Sequence, residues 1–105
     1  MFDIRYLPSF KKDLKELTDY ISINLKAPKA ALDFIDTLEK SIENLKIFPL
    51  AHRLYRPPDP IETEYRVMPV KNYLVFYIAH DDIVEIHRVI YKKRNLPHLI
   101  VSKKK

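Results

Sequence analysis

The sequence predicts an α+β domain in the order β-α-α-β-β-β, a helix hairpin packed on one face of a small antiparallel sheet. Three observations predict it. Tyr65–Met68, Tyr73–Ala79 and Ile83–Tyr91 are three runs rich in β-branched and aromatic residues. They are separated only by Lys71-Asn72 and His80-Asp81-Asp82, which is turn chemistry too short for a parallel crossover, so the three form an antiparallel meander. Ahead of them stand two stretches with apolar residues at helical spacing, each introduced by a proline.

Taken in order, Phe2, Ile4 and Tyr6 alternate with Asp3 and Arg5, the period of a short half-buried strand. Pro8-Ser9 opens the first helix, with Ser9 as its expected N-cap and Asn24 as its stop. Phe10, Leu14, Leu17 and Ile21 form its apolar stripe. The second helix is expected over 29–47, with Ala31, Phe34, Ile35, Leu38, Ile42 and Leu45 facing inward. Residues 50–63 carry Pro57, Pro58 and Pro60 and read as an irregular loop. The domain is expected over 1–97, followed by a basic tail over 98–105.

Strict alternation puts Leu74, Phe76 and Ile78 on one face of the second meander strand and Tyr73, Val75 and Tyr77 on the other. In the third it puts Val84, Ile86, Arg88 and Ile90 opposite Ile83, Glu85, His87, Val89 and Tyr91. A helix hairpin covers only one face. The other is expected to expose aromatics, imidazole and guanidinium as a partner-binding surface. Pro69 marks the first meander strand as an edge or a bulge.

The chain has 105 residues, with 47% hydrophobic content, no cysteine and no glycine. That is one small core, without disulfides or thiolate metal sites. Glycine-rich phosphate loops and dinucleotide fingerprints are excluded, and each turn requiring a positive φ is expected to use Asn or Asp. His52, His80 and His98 lack metal-ligand spacing, and the serines have no triad context. Neither metal nor cofactor is expected. No apolar run is long enough to span a membrane, and the N-terminus lacks a signal-peptide layout, so a cytoplasmic protein is expected.

The net charge of +5 is unevenly placed. Residues 1–52 hold eight basic and eight acidic side chains; residues 53–105 hold eleven and six. From Arg88 on there are seven basic residues and no acidic one. A polyanionic partner is implied, whether nucleic acid or an acidic protein segment. The candidate contacts are Arg53, His87, Lys92, Lys93 and Arg94. A plain basic nucleic-acid-binding module is one reading, although no basic recognition helix supports it.

The β-α-α-β-β-β order, the LKIFP close of the second helix, YRVMPVKNYLVFYI and IVEIHRVIYKKRN resemble the RelE/ParE superfamily of toxins of bacterial type II toxin–antitoxin modules. The likeness covers about residues 2–97. It implies a growth-inhibiting, plasmid-stabilising toxin neutralised by a cognate antitoxin. One branch, RelE-like, cleaves mRNA in the ribosome without a metal; the other, ParE-like, poisons DNA gyrase. Arg66 matches a position where RelE-like enzymes carry a catalytic lysine, but Met68 and Leu74 fall where they carry further cations. The resemblance therefore leans to the ParE-like branch. A metal-independent, ribosome-dependent ribonuclease would have to work through Arg66, Arg88, Tyr91 and the Lys92–Arg94 cluster, as cations and proton donors around a phosphorane. By alternation His87 and Tyr91 share a face about 13 Å apart, too far to act on one phosphate. The antitoxin is expected to be acidic where it crosses Arg88–Arg94 and apolar where it covers the sheet.

Overall fold

The computed structural model describes residues 1–58 and 61–93; the expected tail and Arg94 lie outside the described residues. Its elements are β1 (Asp3–Tyr6), α1 (Pro8–Asp19), a π-helical turn (Tyr20–Asn24), α2 (Pro28–Asn44), β2 (Arg66–Val70), β3 (Tyr73–His80) and β4 (Ile83–Tyr91). The predicted element order holds, and β2, β3 and β4 form the antiparallel meander. The sheet as a whole is mixed, not antiparallel. Its strand order is β1-β4-β3-β2, and β1 runs parallel to β4 with Asp3 opposite Ile83 and Tyr6 opposite Ile86. Both helices, a loop, β2 and β3 separate those strands in the chain, ample length for a parallel connection.

Proline sets both helix starts, at Pro8 and Pro28. Leu7 rather than Ser9 is the N-cap of α1, without a side-chain cap bond. Ser9 Oγ instead donates to the carbonyl of His87 at 2.7 Å. The helix passes through the π-helical turn to Asn24, the expected stop, and Lys26 then reverses the chain at φ 53°. Lysine again takes the left-handed position at Lys71 (φ 54°), where Asn72 was the expected residue. Asp81 and Asp82, at φ 48° and 62°, make the β3–β4 hairpin turn as expected.

Phe10, Phe34, Leu38, Ile42 and Leu45 pack with Met68, Val70, Val75, Tyr77, Val84, Ile86 and Val89 into the main core. The other face is not an open surface. Tyr65, Val67, Phe76 and Ile90 form a second core, joined by Tyr55, Ile61, Leu74 and Ile78. Phe76 is 0% exposed, with Tyr55 and Tyr65 set edge-on to its ring at 5.1 and 6.1 Å. The proline-containing loop folds back to supply this cover. It is pinned by Tyr55 N–H to Tyr65 C=O (2.7 Å), Val67 N–H to Arg53 C=O (3.0 Å) and a bridge between Leu54 and Arg66.

The alternation expected along β4 also breaks. Tyr77 stands opposite Ile86 but Phe76 opposite Arg88, leaving His87 as the extra residue of a β-bulge. Val84 and Ile86 face the helices, and after the bulge Val89 does so while Ile90 joins the second core. His87 and Tyr91 therefore do not share a face: His87 packs on Tyr65 and Tyr91 on Tyr73.

Candidate functional site

The functional residues expected from the sequence gather along β4 and its neighbours, and the bulge decides what each one meets. β1 pairs β4 only as far as Ile86. Beyond it α1 takes over the strand edge. Ser9 caps the His87 carbonyl, and Asp13 Oδ2 accepts from Val89 N–H at 3.1 Å. The same carboxylate takes a two-pronged hold on Arg88, with Nη2 donating to Oδ1 at 2.9 Å and Nε to Oδ2. The side chains are 14% and 12% exposed, so this is a largely desolvated, bidentate pair that fixes α1 on the strand. Arg88 is thereby spent inside the molecule.

His87 lies between two partners. Its Nε2 is 3.1 Å from Glu85 Oε1 and its Nδ1 is 3.2 Å from the Tyr65 hydroxyl. The other oxygen of Glu85 meets His80 Nε2 at 3.2 Å, and His80 Nδ1 is 3.3 Å from Asp81. Hydrogen bonding from His87 holds the Glu85 carboxyl below its usual range. Hydrogen bonds to Asp81 and Glu85 hold His80 above its usual range. Burial pushes the Tyr65 phenol up.

Arg66 is turned toward the loop after α2, donating from Nη1 to the His52 carbonyl at 2.9 Å. Beside it the Tyr77 hydroxyl donates to Pro49 C=O at 2.7 Å, and burial pushes that phenol up to about 12. Burial lowers His52. Tyr91 sits at the far end of β4. Its ring meets Tyr73 at 5.6 Å, and Tyr73 meets Phe34 at 5.0 Å. These rings, with Leu17, Tyr20 and Leu25, line a groove of about 870 Å³ between the helix hairpin and the end of the sheet.

Arg66, Arg88 and Tyr91 are thus not brought to one point. Arg66 stands opposite Tyr77 and Tyr91 opposite Tyr73, a separation of about 13 Å along the strands alone. Met68 is 2% exposed in the main core, and Leu74 packs against the second. Arg53, Lys92 and Lys93 are exposed, and Lys92 N–H closes on the Asn72 carbonyl at 3.0 Å. Among the described residues no group of His, Asp and Glu has the geometry to hold a metal ion.

Sequence reasoning missed Asp13, Glu85 and Tyr65. Glu85 was within reach, because a carboxylate two residues before a histidine on a strand shares its side. Asp13 had no local signal; it is one acid among several on α1, and only the crossover brings it to β4.

The family model described as the ParE toxin of the type II toxin–antitoxin system, parDE, matches residues 4–96. The chain belongs to this family. It is the toxin component of a type II toxin–antitoxin module, as the resemblance implied. Comparison with curated proteins gave no match. Among solved structures, the chromosomal ParDE toxin–antitoxin system from P. aeruginosa matches with a TM-score of 0.67 and 14% identity, covering 87% of this chain and 96% of that one. That match carries the fold: two helices on a four-stranded mixed sheet. No helix among the described residues of the toxin is long and apolar enough to cross a membrane.

Proposed function

We propose that this toxin arrests growth by inhibiting DNA gyrase, acts in the cytoplasm, and is released from a cognate antitoxin to do so. The observation that carries the reading is the dispersal of the groups a nuclease would need. Arg88 is committed to Asp13, Arg66 to a loop carbonyl and His87 to Glu85 and Tyr65. The remaining positions where RelE-like enzymes carry cations are the apolar Met68 and Leu74. RNA transesterification needs a base, an acid and cations at a single phosphate, and the toxin offers no such convergence among its described residues.

Antitoxin binding rests on the groups left free. Lys92, Lys93 and Arg53 are exposed and suit acidic residues of the antitoxin, with the Tyr91 groove as the apolar contact. The sheet face, already covered by the loop, is not the antitoxin's apolar seat.

Induction of the toxin without its antitoxin tests the reading. Within minutes an abundant transcript should remain intact by primer extension while DNA breaks accumulate and division stops. New translation-dependent cuts inside codons would overturn it in favour of a ribonuclease.

A further inference from the structure

Basic side chains are not handled alike across the toxin. On the helical layer Lys12, Lys15, Lys40 and Lys46 each hold a carboxylate, at 2.8 to 3.5 Å. Arg66 and Arg88 donate within the fold. At the end of the sheet where β4 leaves, Lys71, Lys92 and Lys93 are exposed, and their ammonium groups have no partner among the described residues.

Two backbone features gather these three. The β2–β3 turn takes its left-handed residue at Lys71 (φ 54°), and Lys92 N–H donates to the carbonyl of Asn72 at 3.0 Å. The exit of β4 is thereby fastened beside that turn. Like charges on neighbouring strands repel, and the chain supplies no acid there: from Arg88 on it carries seven basic residues and none acidic. The acids lining the neighbouring groove, Asp13, Glu16 and Asp33, stand on its helical wall, and two are already paired, Asp13 with Arg88 and Glu16 with Lys12. Tyr91, 38% exposed, and the exposed Asn72 add a hydroxyl and an amide beside the lysines. Ammonium, hydroxyl and amide groups hold phosphate oxygens along a duplex without reading its bases. Lysine serves phosphate as a point charge, whereas a carboxylate favours the fork of an arginine.

We propose that this sheet end, Lys71, Lys92 and Lys93 with Asn72 and Tyr91, binds the phosphate backbone of duplex DNA. Resting on the gyrase reading for its role, the contact sets the toxin on the DNA that gyrase holds as well as on the enzyme. Lys92 and Lys93 are also where the acidic antitoxin is proposed to lie, so antitoxin and DNA exclude one another there. Contacts to so few phosphates give weak, sequence-independent binding by themselves. On a gyrase–DNA complex the protein contact and the DNA contact act as two linked sites, each raising the occupancy of the other.

Fluorescence anisotropy of a labelled mixed-sequence duplex, titrated over a salt series with full-length toxin freed of antitoxin, tests it. Binding indifferent to sequence is expected, with a log–log salt slope of about −3 or steeper from three phosphates. Lys71→Glu, Lys92→Glu and Lys93→Glu should each take about 1 from that slope and weaken binding about tenfold at about 50 mM salt. Lys11→Glu, an equal change of charge near the start of α1, should leave both nearly unchanged. No binding at low salt, a slope near zero, or reversals no more harmful than Lys11→Glu overturns the proposal. Polyglutamate that holds the toxin more tightly than the duplex, charge for charge, would assign the lysines to an acidic protein and overturn it too. Supercoiling by purified gyrase separates this contact from the gyrase reading. The triple reversal should inhibit gyrase less than wild type does. If it no longer binds DNA yet inhibits as wild type, the DNA contact is overturned and the gyrase reading stands. If wild type binds DNA yet leaves gyrase unimpaired, the gyrase reading falls and the DNA contact stands.

Discussion

On one side of the sheet Val75, Tyr77, Val84, Ile86 and Val89 lie under Phe10, Phe34, Leu38 and Ile42 of the helices. On the other, Val67, Phe76 and Ile90 lie under Tyr55, Ile61 and Tyr65, contributed by the loop and its junction with β2. Both layers exclude water, but by different means. The helices bring a repeated stripe, so many small contacts add up. The loop brings a few aromatic anchors held by its own backbone bonds. Each layer also has a polar lock on β4, Asp13 to Arg88 on the α1 side and Tyr65 to His87 on the loop side. The bulge at His87 sets Arg88 opposite Phe76 and shifts the alternation of β4, so that Ile86 and Val89, three residues apart, both face the helices.

The sharpest way to break this comparison is truncation at the centre of each layer. Phe76→Ala and Leu38→Ala should each cost about 3–5 kcal/mol in urea unfolding, since both side chains are fully enclosed. A loss below about 1 kcal/mol for Phe76→Ala would mean that the loop is a loose cover and not a core. The locks should differ in strength. Asp13→Ala leaves the Arg88 guanidinium largely buried without its counter-charge and should cost about 3 kcal/mol. Tyr65→Phe removes a single hydrogen bond to His87 and should cost only about 1 kcal/mol. Equal losses in the two variants would contradict the distinction between a desolvated bidentate ion pair and a single hydrogen bond.

The smallest effect expected is in pH. Glu85 is held below its ordinary value of 4.5, so its contribution is present above that pH and fades as pH falls through the lower folded value. His80 is held above 6.5, so its contribution is complete below 6.5 and fades as pH rises through the raised value. Both operate together between about pH 5 and 6.5. His52, lowered by burial, acts in the opposite direction to His80 across neutral pH, but it is common to wild type and variant. His80→Ala should therefore lower the melting temperature slightly at pH 5.5 and leave it nearly unchanged at pH 9. A larger loss at pH 9 would reverse the assigned sign.

Where the sequence repeats a period, the fold was legible. Of the stripe Ala31, Phe34, Ile35, Leu38, Ile42 and Leu45, all but the half-buried Ile35 are buried, and the three meander strands fall within two residues of their expected ends. What depends on non-local pairing was not legible. The parallel seat of β1 beside β4 joins strands with both helices, β2 and β3 between them, and the loop's return over Phe76 rests on Tyr55 and Tyr65, which carry no periodic signal. The bulge matters most for the site. One extra residue moved Val89 to the helix side and Ile90 to the loop side, so the face expected to unite His87 with Tyr91 does not exist. Composition shows where the basic residues concentrate, but not where their side chains go: Arg66 and Arg88 donate within the fold, while Lys92, Lys93 and Arg53 are exposed.

The most direct test of the central claim is a supercoiling assay with purified DNA gyrase, titrated with the toxin alone and with an antitoxin added back. The account predicts that supercoiling falls as toxin is added and recovers with antitoxin. Arg66→Ala and Arg88→Ala, scored only as folded protein, should inhibit gyrase as wild type does. Unimpaired supercoiling at toxin concentrations that stop growth would contradict it.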